Sequence, residues 1–264
     1  MKEISKGIRK DIVRMIFKAG SGHPGGSLSI VDILTVLYFN SMNHATKDSS
    51  ERDRLILSKG HAAPALYATL SRAGYFPREE LMSLREIGSA FQGHPDRRFF
   101  PYVEVSSGSL GMGLGIACGL ALSLRIDKSN SKVYVIVGDG EIQEGIVWES
   151  AMFASKYNLG NLIVFLDHNN LQIDGRVQDI MPLEPLVSKW EAFNWHVQEI
   201  DGHDFNQIIK AIDVAKEERN RPSIIIARTI KGKGISFMEN VVGFHGRAPT
   251  EEELKIALKE LEDE

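Results

Sequence analysis

Apolar residues recur every three or four positions in the N-terminal part of the chain, and this spacing predicts helices. A first helix is predicted over residues 2–19, and the glycine-rich sequence GSGHPGG ends it. Five apolar residues share one face of this helix: Ile4, Ile8, Ile12, Met15 and Ile16. A second helix is predicted from Ser29 to about Asn40, and a third follows His61.

From residue 132 onward the pattern changes to an alternation of apolar strands and amphipathic helices. Strands are predicted in KVYVIV, NLIVFLD, HVQEID and SIIIART, of which HVQEID is the weakest. Helices are predicted in GIVWESAMFASKYN and DFNQIIKAIDVAKEERN, the latter with Asp204 as its N-cap and Pro222 just beyond its end. Strands that alternate with helices indicate an α/β fold, in which a parallel sheet carries helices on both faces.

The chain is interpreted as a single domain over residues 1–264, because it shows neither an internal repeat nor a flexible linker. This length is enough for one large α/β domain with a substantial core. The last stretch, TEEELKIALKELEDE, is predicted to be an acidic amphipathic helix that serves packing or a partner rather than chemistry.

Composition narrows the class of protein. Hydrophobic residues make up 43% of the chain and charged residues 25%, as in ordinary soluble globular proteins. The formal net charge of −4 argues against broad nucleic-acid binding, which favours a basic face. Cys118 is the one cysteine, so no internal disulfide can form, and no apolar run reaches eighteen residues. We therefore expect a cytoplasmic protein that does not span a membrane.

Hard oxygen ligands follow two of the predicted strands. Asp139 lies in GDGEIQEG, directly after KVYVIV, and Asn169 lies in DHNNLQIDG, at the end of NLIVFLD. Ligands of such sheets bind beyond the carboxyl ends of the strands, and these oxygens suit Mg²⁺ or Ca²⁺ rather than zinc. Gly138 and Gly140 are expected to let the backbone turn sharply and come close to a ligand.

A Mg²⁺ ion held by few protein oxygens usually bridges to phosphate, so this pair of loops predicts a diphosphate site. A tight turn at GDG and a loop cap at NN are the structural alternative for either motif alone. The sequence SSGSL, which contains Gly108, is interpreted as a loop that leads into a helix N-terminus, a place suited to anions. The glycine-rich stretch that follows matches neither the P-loop nor the dinucleotide fingerprint.

Three more charged residues are candidates with equally ordinary explanations. Lys231, in IKGKG, either faces phosphate or lies in a solvated turn. Glu144 complements a helix dipole, whereas Glu149 has no such structural explanation.

Four of the eight histidines share a Gly/Pro-rich loop setting. They are His23 in GSGHPGG, His61 in SKGHAAP, His94 in FQGHPD and His245 in GFHGRAP. A single loop histidine is more often a surface or capping residue, but four alike indicate a shared use. Imidazole can donate to or accept from hydroxyls and carbonyls near neutral pH. The other four are interpreted as structural: His44, His168, His196 and His203.

Taken in order, these segments resemble the transketolases. GDGEIQEG followed by NLIVFLDHNNLQIDG is similar to the thiamine-diphosphate signature, a GDG followed at some distance by NN. SGHPGGSLS, SKGHAAPALYA, GHPD, SSGSLGMGLGIACGLAL and FHGRAP occur in the order seen in transketolases, from about residue 5 to residue 250. The resemblance covers only the first, diphosphate-binding domain, so it implies the N-terminal subunit of a split transketolase.

The resemblance implies a role for each matching residue. Metal ligands are implied at Asp139, Asn169 and the backbone carbonyl of Leu171. Cofactor contacts are implied at nine positions: His61, Gly108, Ser109, Leu110, Gly138, Gly140, Asn169, Lys231 and His245. Catalytic roles are implied for His23, His61, His94, His245, Glu144 and Glu149. Among these, His23 and His94 match histidines that bond the sugar, and the two glutamates match residues near the subunit interface that link paired sites.

The implied activity is transfer of a two-carbon ketol unit from a ketose or its phosphate to an aldose, with thiamine diphosphate and Mg²⁺. The family's activating glutamate lies on the domain that this sequence does not match. The resemblance therefore implies a partner, the C-terminal subunit, and assembly as two copies of each chain. Deoxyxylulose-phosphate synthases, 2-oxo-acid dehydrogenase E1 subunits and a non-catalytic relative are the alternatives, and a nicotinamide dehydrogenase is the weakest of all.

Overall fold

The structure is a computed structural model that describes residues 1–44 and 51–263. Its centre is a five-stranded sheet with the strand order β1-β2-β3-β7-β6, and every neighbouring pair is parallel. These five strands are β1 (Arg54–Leu57), β2 (Val133–Gly138), β3 (Leu162–His168), β6 (His196–Asp201) and β7 (Ser223–Arg228). Two short strands, β4 (Leu171–Gln172) and β5 (Gly175–Arg176), form an antiparallel hairpin beside the carboxyl end of β3.

Ten α-helices surround the strands within the described residues. They are α1 (Lys2–Ala19), α2 (Pro24–Leu28), α3 (Val31–Val36), α4 (Ala63–Arg72), α5 (Met112–Ile126), α6 (Gly145–Lys156), α7 (Val177–Ile180), α8 (Leu186–Ala192), α9 (Phe205–Glu217) and α10 (Glu251–Asp263). A π-helical turn at Leu37–Ser41 extends α3. Four 3₁₀ turns complete the described helical structure: Gly60–Ala62, Arg78–Ser83, Glu141–Gln143 and Val242–His245.

Alternate residues of each central strand enter two separate hydrophobic cores. In β2, Tyr134 and Ile136 pack with helices α1, α3, α4 and α9, whereas Val135 and Val137 pack with α5, α6 and α8. Side chains of a strand point alternately to its two faces, so both faces of this sheet are covered. The predicted α/β class, a parallel sheet with helices on both faces, is confirmed.

The helix predictions hold for α1, α4, α6 and α9, and Asp204 caps α9 as expected. Its carboxylate accepts hydrogen bonds from the backbone N–H groups of Asn206 and Gln207. The predicted C-terminal helix is α10, which packs on α1 through the buried Ala257 and Leu261. The acidic tail therefore has a packing role, as expected.

Two sequence predictions need correction. The helix predicted from Ser29 is interrupted, because α2 already begins at Pro24 and α3 begins only at Val31. Proline is favoured in the first turn of a helix, where its missing N–H has no partner to lose. Strand β1 was not predicted at all, since its four residues are too short a run to show an alternation.

The segments predicted to lie beside the strand ends do so. Asp139 follows β2 directly, and its backbone N–H donates to the Asp167 carbonyl on the neighbouring β3. Among the described residues, none of the helices combines the length and apolar character needed to cross a membrane.

Candidate active site

A pocket of about 320 Å³ opens at the carboxyl ends of β2 and β3, which is where ligands of parallel sheets bind. Nine of the residues singled out in the sequence line it: His61, Leu110, Gly138, Asp139, Gly140, Asn169, Leu171, Lys231 and His245. Segments far apart in the sequence thus converge on one cavity. A wider cleft of about 580 Å³ shares His245 and Ile173 with this pocket and also reaches His23.

Asp139 and Asn169 lie together on the floor of the pocket, and they are 1% and 5% exposed. The carboxylate of Asp139 accepts hydrogen bonds from the backbone N–H groups of Gly140, at 2.8 Å, and Asn170, at 2.5 Å. The side-chain oxygen of Asn169 accepts from the N–H of Leu171, at 3.1 Å. Both oxygens are therefore held by the backbone of the two loops, as a preformed ligand site requires.

The chemistry of this donor set fits a hard cation. Burial, followed by the negative charge of Asp167, raises the pKa of Asp139 to about 7. A cation beside this carboxylate would restore its ionised form. No group of three or more His, Cys, Asp and Glu side chains is placed to hold a metal ion in residues 1–44 and 51–263. A cation here would accordingly rely on one carboxylate, one amide and the Leu171 carbonyl, a set that suits Mg²⁺ better than zinc.

Two buried ammonium groups line the same pocket. Lys231 is 2% exposed, and its Nζ donates to the Leu171 carbonyl at 3.0 Å and lies 2.9 Å from Nδ1 of His245. Burial and the nearby charge of Lys59 lower the pKa of Lys231 to about 8, so it stays mostly protonated at neutral pH. A carbonyl oxygen has two lone pairs, and Leu171 can bond Lys231 and a cation together. The solvated-turn alternative for Lys231 is wrong.

Lys59 and Asp167 form an ion pair that the sequence reasoning missed. The Nζ of Lys59 lies 2.5 Å from Oδ2 of Asp167, and the two residues are 1% and 0% exposed. Asp167 also accepts from the hydroxyls of Ser29 and Thr229 and from the Asn169 side-chain amide. Burial alone would raise the pKa of Asp167, but Lys59 and these donors hold it below the usual value. Asp167 thereby turns the oxygen of the Asn169 amide away from itself.

Glu141 is the second residue without an assigned role in the sequence, and it joins three loops. Its carboxylate accepts from the hydroxyl of Ser58 at 2.5 Å, the N–H of Gly111 at 2.9 Å and the N–H of Gly138 at 3.0 Å. The residue is 2% exposed. Burial raises the pKa of Glu141, whereas the three donors favour its ionised form. This side chain connects the SKGH, SGSLG and GDGE segments, and nothing local in GDGEIQEG reveals it.

The four loop histidines form one cluster. The ring centroid of His23 lies 5.3 Å from that of His61, 6.0 Å from that of His94 and 5.6 Å from that of His245. His61 and His245 stack at 5.2 Å with an angle of 30° between their planes. The shared sequence setting therefore corresponds to a shared place in the structure.

These imidazoles are neutral at physiological pH. Burial, followed by the charge of Arg85, lowers the pKa of His23 to about 4, and burial, followed by the charge of Lys231, lowers that of His245 to about 3. Burial also lowers the pKa of His61 and His94, aided by the charges of Lys59 and Arg85 respectively. A neutral imidazole has one donor and one acceptor, so the cluster can bond both hydroxyls and carbonyls.

The two glycines of GDG do not serve the sharp turn that was expected of them. Neither has a positive φ, and Gly140 has an ordinary helical conformation with φ −61°. A Cβ atom on Gly140 would come within 3.1 Å of the Gln172 Cβ, so the missing side chain provides room rather than flexibility. Both glycines line the pocket.

The remaining predicted residues lie around the pocket rather than in it. Gly108 borders the histidine cluster, since a Cβ atom there would lie 3.3 Å from the His94 ring. Ser109 is exposed, and Leu110 alone of this segment lines the cavity. Glu144 immediately precedes α6 and Glu149 lies within it, and both are exposed outside the pocket.

Comparison with known proteins identifies the family. A family model described as the transketolase, thiamine diphosphate binding domain matches residues 1–262. The chain belongs to the transketolase family. A Clostridium sp. (strain MSTE9) relative, named 6-deoxy-6-sulfo-D-fructose transketolase subunit SqwG, is 48% identical over 97% of this chain and 94% of its own length. An apulose-4-phosphate transketolase subunit from Phocaeicola vulgatus is 40% identical, over 97% and 91%.

Larger transketolases match over a part of their length. Human transketolase is 40% identical over 94% of this chain but 40% of its own length. The crystal structure of transketolase from Campylobacter jejuni superposes with a TM-score of 0.93 and 34% identity, over 99% of this chain and 42% of that one. The transketolase of Leishmania mexicana gives 0.93 and 30%, over 99% and 41%. This transketolase-family chain thus spans about two fifths of each of these three proteins and most of the two named subunits.

Proposed function

We propose that the chain is the thiamine-diphosphate-binding subunit of a two-subunit transketolase. It would transfer a two-carbon ketol unit from a ketose to an aldose. The observation that carries this proposal is a single pocket that joins a hard-cation site, two buried lysines and a cluster of neutral histidines. The names of the similar-sized relatives favour a transketolase over the synthase and dehydrogenase alternatives.

In this proposal the floor of the pocket anchors the diphosphate. Asp139, Asn169 and the Leu171 carbonyl would hold Mg²⁺, or Ca²⁺ in its place. Lys59 and Lys231 place two positive charges beside it, which favours an anionic ligand. Gly138, Gly140 and Leu110 line the cavity and leave room for the cofactor, and Gly108 and Ser109 continue this wall outward.

The histidines would handle the sugar. When bound, thiamine diphosphate supplies the electron sink for the two-carbon unit that is cleaved from the ketose. His61 and His245 line the pocket, so we assign them to the cofactor's reactive end. His23 and His94 lie on the outer side of the cluster and, as neutral imidazoles, can bond a sugar carbonyl and hydroxyls.

A second subunit would complete the site. Leu110 is 36% and Ile173 64% exposed although both line the pocket, so an additional chain can cover them. For this partner we propose the C-terminal transketolase subunit, with two copies of each chain. Glu144 and Glu149, both exposed near this surface on α6, would then lie at the interface and link paired sites.

The substrate proposal rests on the relatives. Their names specify 6-deoxy-6-sulfo-D-fructose and apulose 4-phosphate, both sugars with an anionic group. We propose an anionic ketose as the donor here, with the pentose phosphate pathway as one setting. A cytoplasmic location agrees with a chain whose one cysteine, Cys118, is buried and free.

Ketol transfer should be assayed with the chain alone, with a candidate second chain alone, and with the two together, in the presence of thiamine diphosphate and Mg²⁺. Ketose phosphates, sulfofructose and pyruvate should be compared as donors. We expect activity only from the combined chains and only with ketoses. Full activity from the chain alone would refute the two-subunit proposal, and a preference for pyruvate would refute the transketolase assignment.

A further inference from the structure

Arg9, Asp32 and His203 form a buried network behind the active site. Arg9 and Asp32 are 3% and 4% exposed, and two guanidinium nitrogens of Arg9 donate to the two oxygens of Asp32 at 3.1 and 2.6 Å. Nδ1 of His203 lies 2.8 Å from the same carboxylate. The network joins α1, α3 and the loop after β6, none of which contributes these side chains to the pocket.

The remaining polar atoms of this network bond the backbone on both sides of Lys231. Nε2 of His203 accepts a hydrogen bond from the N–H of Ile230 at 2.9 Å. Nε of Arg9 donates to the carbonyl of Lys233 at 3.2 Å. A backbone N–H can only donate, so Nε2 of His203 carries no proton and Nδ1 donates to Asp32. The orientation of Asp32 therefore determines how both side chains meet the loop.

The loop between these two bonds has little freedom. The N–H of Gly232 donates to the carbonyl of Gly25 at 3.0 Å. Gly232 also has φ +83°, and a Cβ atom there would lie 2.3 Å from the Met238 carbonyl oxygen. From this segment the Lys231 side chain extends to the opposite side, into the pocket, where its Nζ meets the Leu171 carbonyl and His245.

We propose that Arg9, Asp32 and His203 are positioning residues that act on cofactor binding through Lys231. The network fixes the backbone at residues 230 and 233, and this places the buried ammonium group beside the diphosphate site. The inference rests on the proposed function, since it assigns Lys231 a bound anion. It also explains why a buried ion pair lies so far from the reacting groups, where packing alone would be served by apolar residues.

Two matched substitutions separate the two bonds of His203. In His203→Asn the side-chain amide can still donate to Asp32 but does not reach Ile230. In His203→Gln the side-chain oxygen can accept from the Ile230 N–H, while the bond to Asp32 is lost. We expect His203→Asn to weaken binding of thiamine diphosphate with Mg²⁺ by about five- to tenfold and His203→Gln by less than about twofold. The reverse order would show that the network only stabilises the fold.

A double-substitution cycle with Lys231→Met tests whether the effect passes through Lys231. Calorimetric titrations should use the full chain, alone and assembled with its second subunit. In the Lys231→Met background, His203→Asn should change the affinity by less than about twofold. Equal losses in both backgrounds would overturn the proposal. If His203→Asn does not fold, Arg9→Lys, which keeps a positive charge beside Asp32, enters the same cycle.

The wild-type result keeps the two proposals apart. Ketol transfer and cofactor binding by the wild type, together with additive losses in the cycle, would refute only the positioning role. Absence of cofactor binding by the wild type, with or without its partner, would refute the proposed function and this inference together.

Discussion

The buried carboxylates of the pocket and its clustered histidines differ in how their polar atoms are used. Asp139, Glu141 and Asp167 are 0–2% exposed and accept hydrogen bonds or ion-pair contacts from backbone, hydroxyl, amide and ammonium groups. The four histidines instead face one another at ring distances of 5.2 to 6.0 Å. The carboxylates are thus committed to holding loops and ligands, whereas the imidazoles retain polar atoms for a substrate.

This contrast separates anchoring from substrate handling. A saturated buried carboxylate cannot reorient without leaving several donors unpaired, so it keeps the loops in one geometry. A neutral imidazole with a free donor or acceptor can pair with hydroxyls whose positions differ from one sugar to another. If the division is correct, carboxylate substitutions should affect cofactor binding and folding, and histidine substitutions should mainly affect sugar chemistry and pH dependence.

The largest effect is expected for Asp139→Asn, which keeps the shape of the side chain but removes the charge. We expect the Mg²⁺-dependent affinity for thiamine diphosphate to fall at least about 100-fold, equivalent to about 3 kcal/mol. Isothermal titration calorimetry at several Mg²⁺ concentrations measures it. Asp213→Asn, at an exposed position of α9, is the control and should leave the affinity unchanged. Undiminished binding by Asp139→Asn would remove this residue from the metal site.

Glu141→Ala should be costly for folding rather than for chemistry. The substitution leaves the Ser58 hydroxyl and the N–H groups of Gly111 and Gly138 without their acceptor. We expect the free energy of unfolding to fall by about 2–3 kcal/mol, as measured by urea denaturation of the full chain. Glu252→Ala, at an exposed position, should stay within about 0.5 kcal/mol of the wild type. Similar values for the two variants would show that Glu141 does not hold the three loops together.

The same contrast explains what the sequence could reveal. Asp139 and Asn169 were recognisable because each follows an apolar strand directly, and strand ends meet at one edge of a parallel sheet. The histidines were recognisable from their repeated Gly-His setting. Glu141 lies in the same short segment as Asp139 but remained unassigned, because its partners Ser58 and Gly111 are distant in the sequence.

Other residues escaped for similar reasons. Lys59 and Asp167 stand next to recognised motifs, but their pairing depends on how β1 and β3 are placed in the sheet, and β1 itself was not predicted. His203 was interpreted as structural, since nothing near it in the sequence points to Ile230 or Asp32. Periodicity therefore predicted most long helices and the central strands, whereas contacts between distant loops required the structure.

The smallest effect concerns the pH dependence that His23 confers. Burial and the charge of Arg85 lower its pKa to about 4 in the folded chain, whereas an unfolded histidine titrates near pH 6.5. Between these values the unfolded chain binds more protons, so stability is fully present above about pH 6.5 and falls as the pH is lowered towards 4.

His23→Gln removes this proton uptake on unfolding and should reduce the loss of stability between pH 7.5 and pH 5 by about 1 kcal/mol. Urea denaturation of wild type and variant at both pH values measures the difference, and NMR titration of the His23 ring should show a midpoint below about pH 5. The argument depends on the ring being buried among its neighbours with no counter-charge. A midpoint near 6.5 would mean that His23 is solvated, and the histidines would then lose the neutral, unpaired character that distinguishes them from the carboxylates.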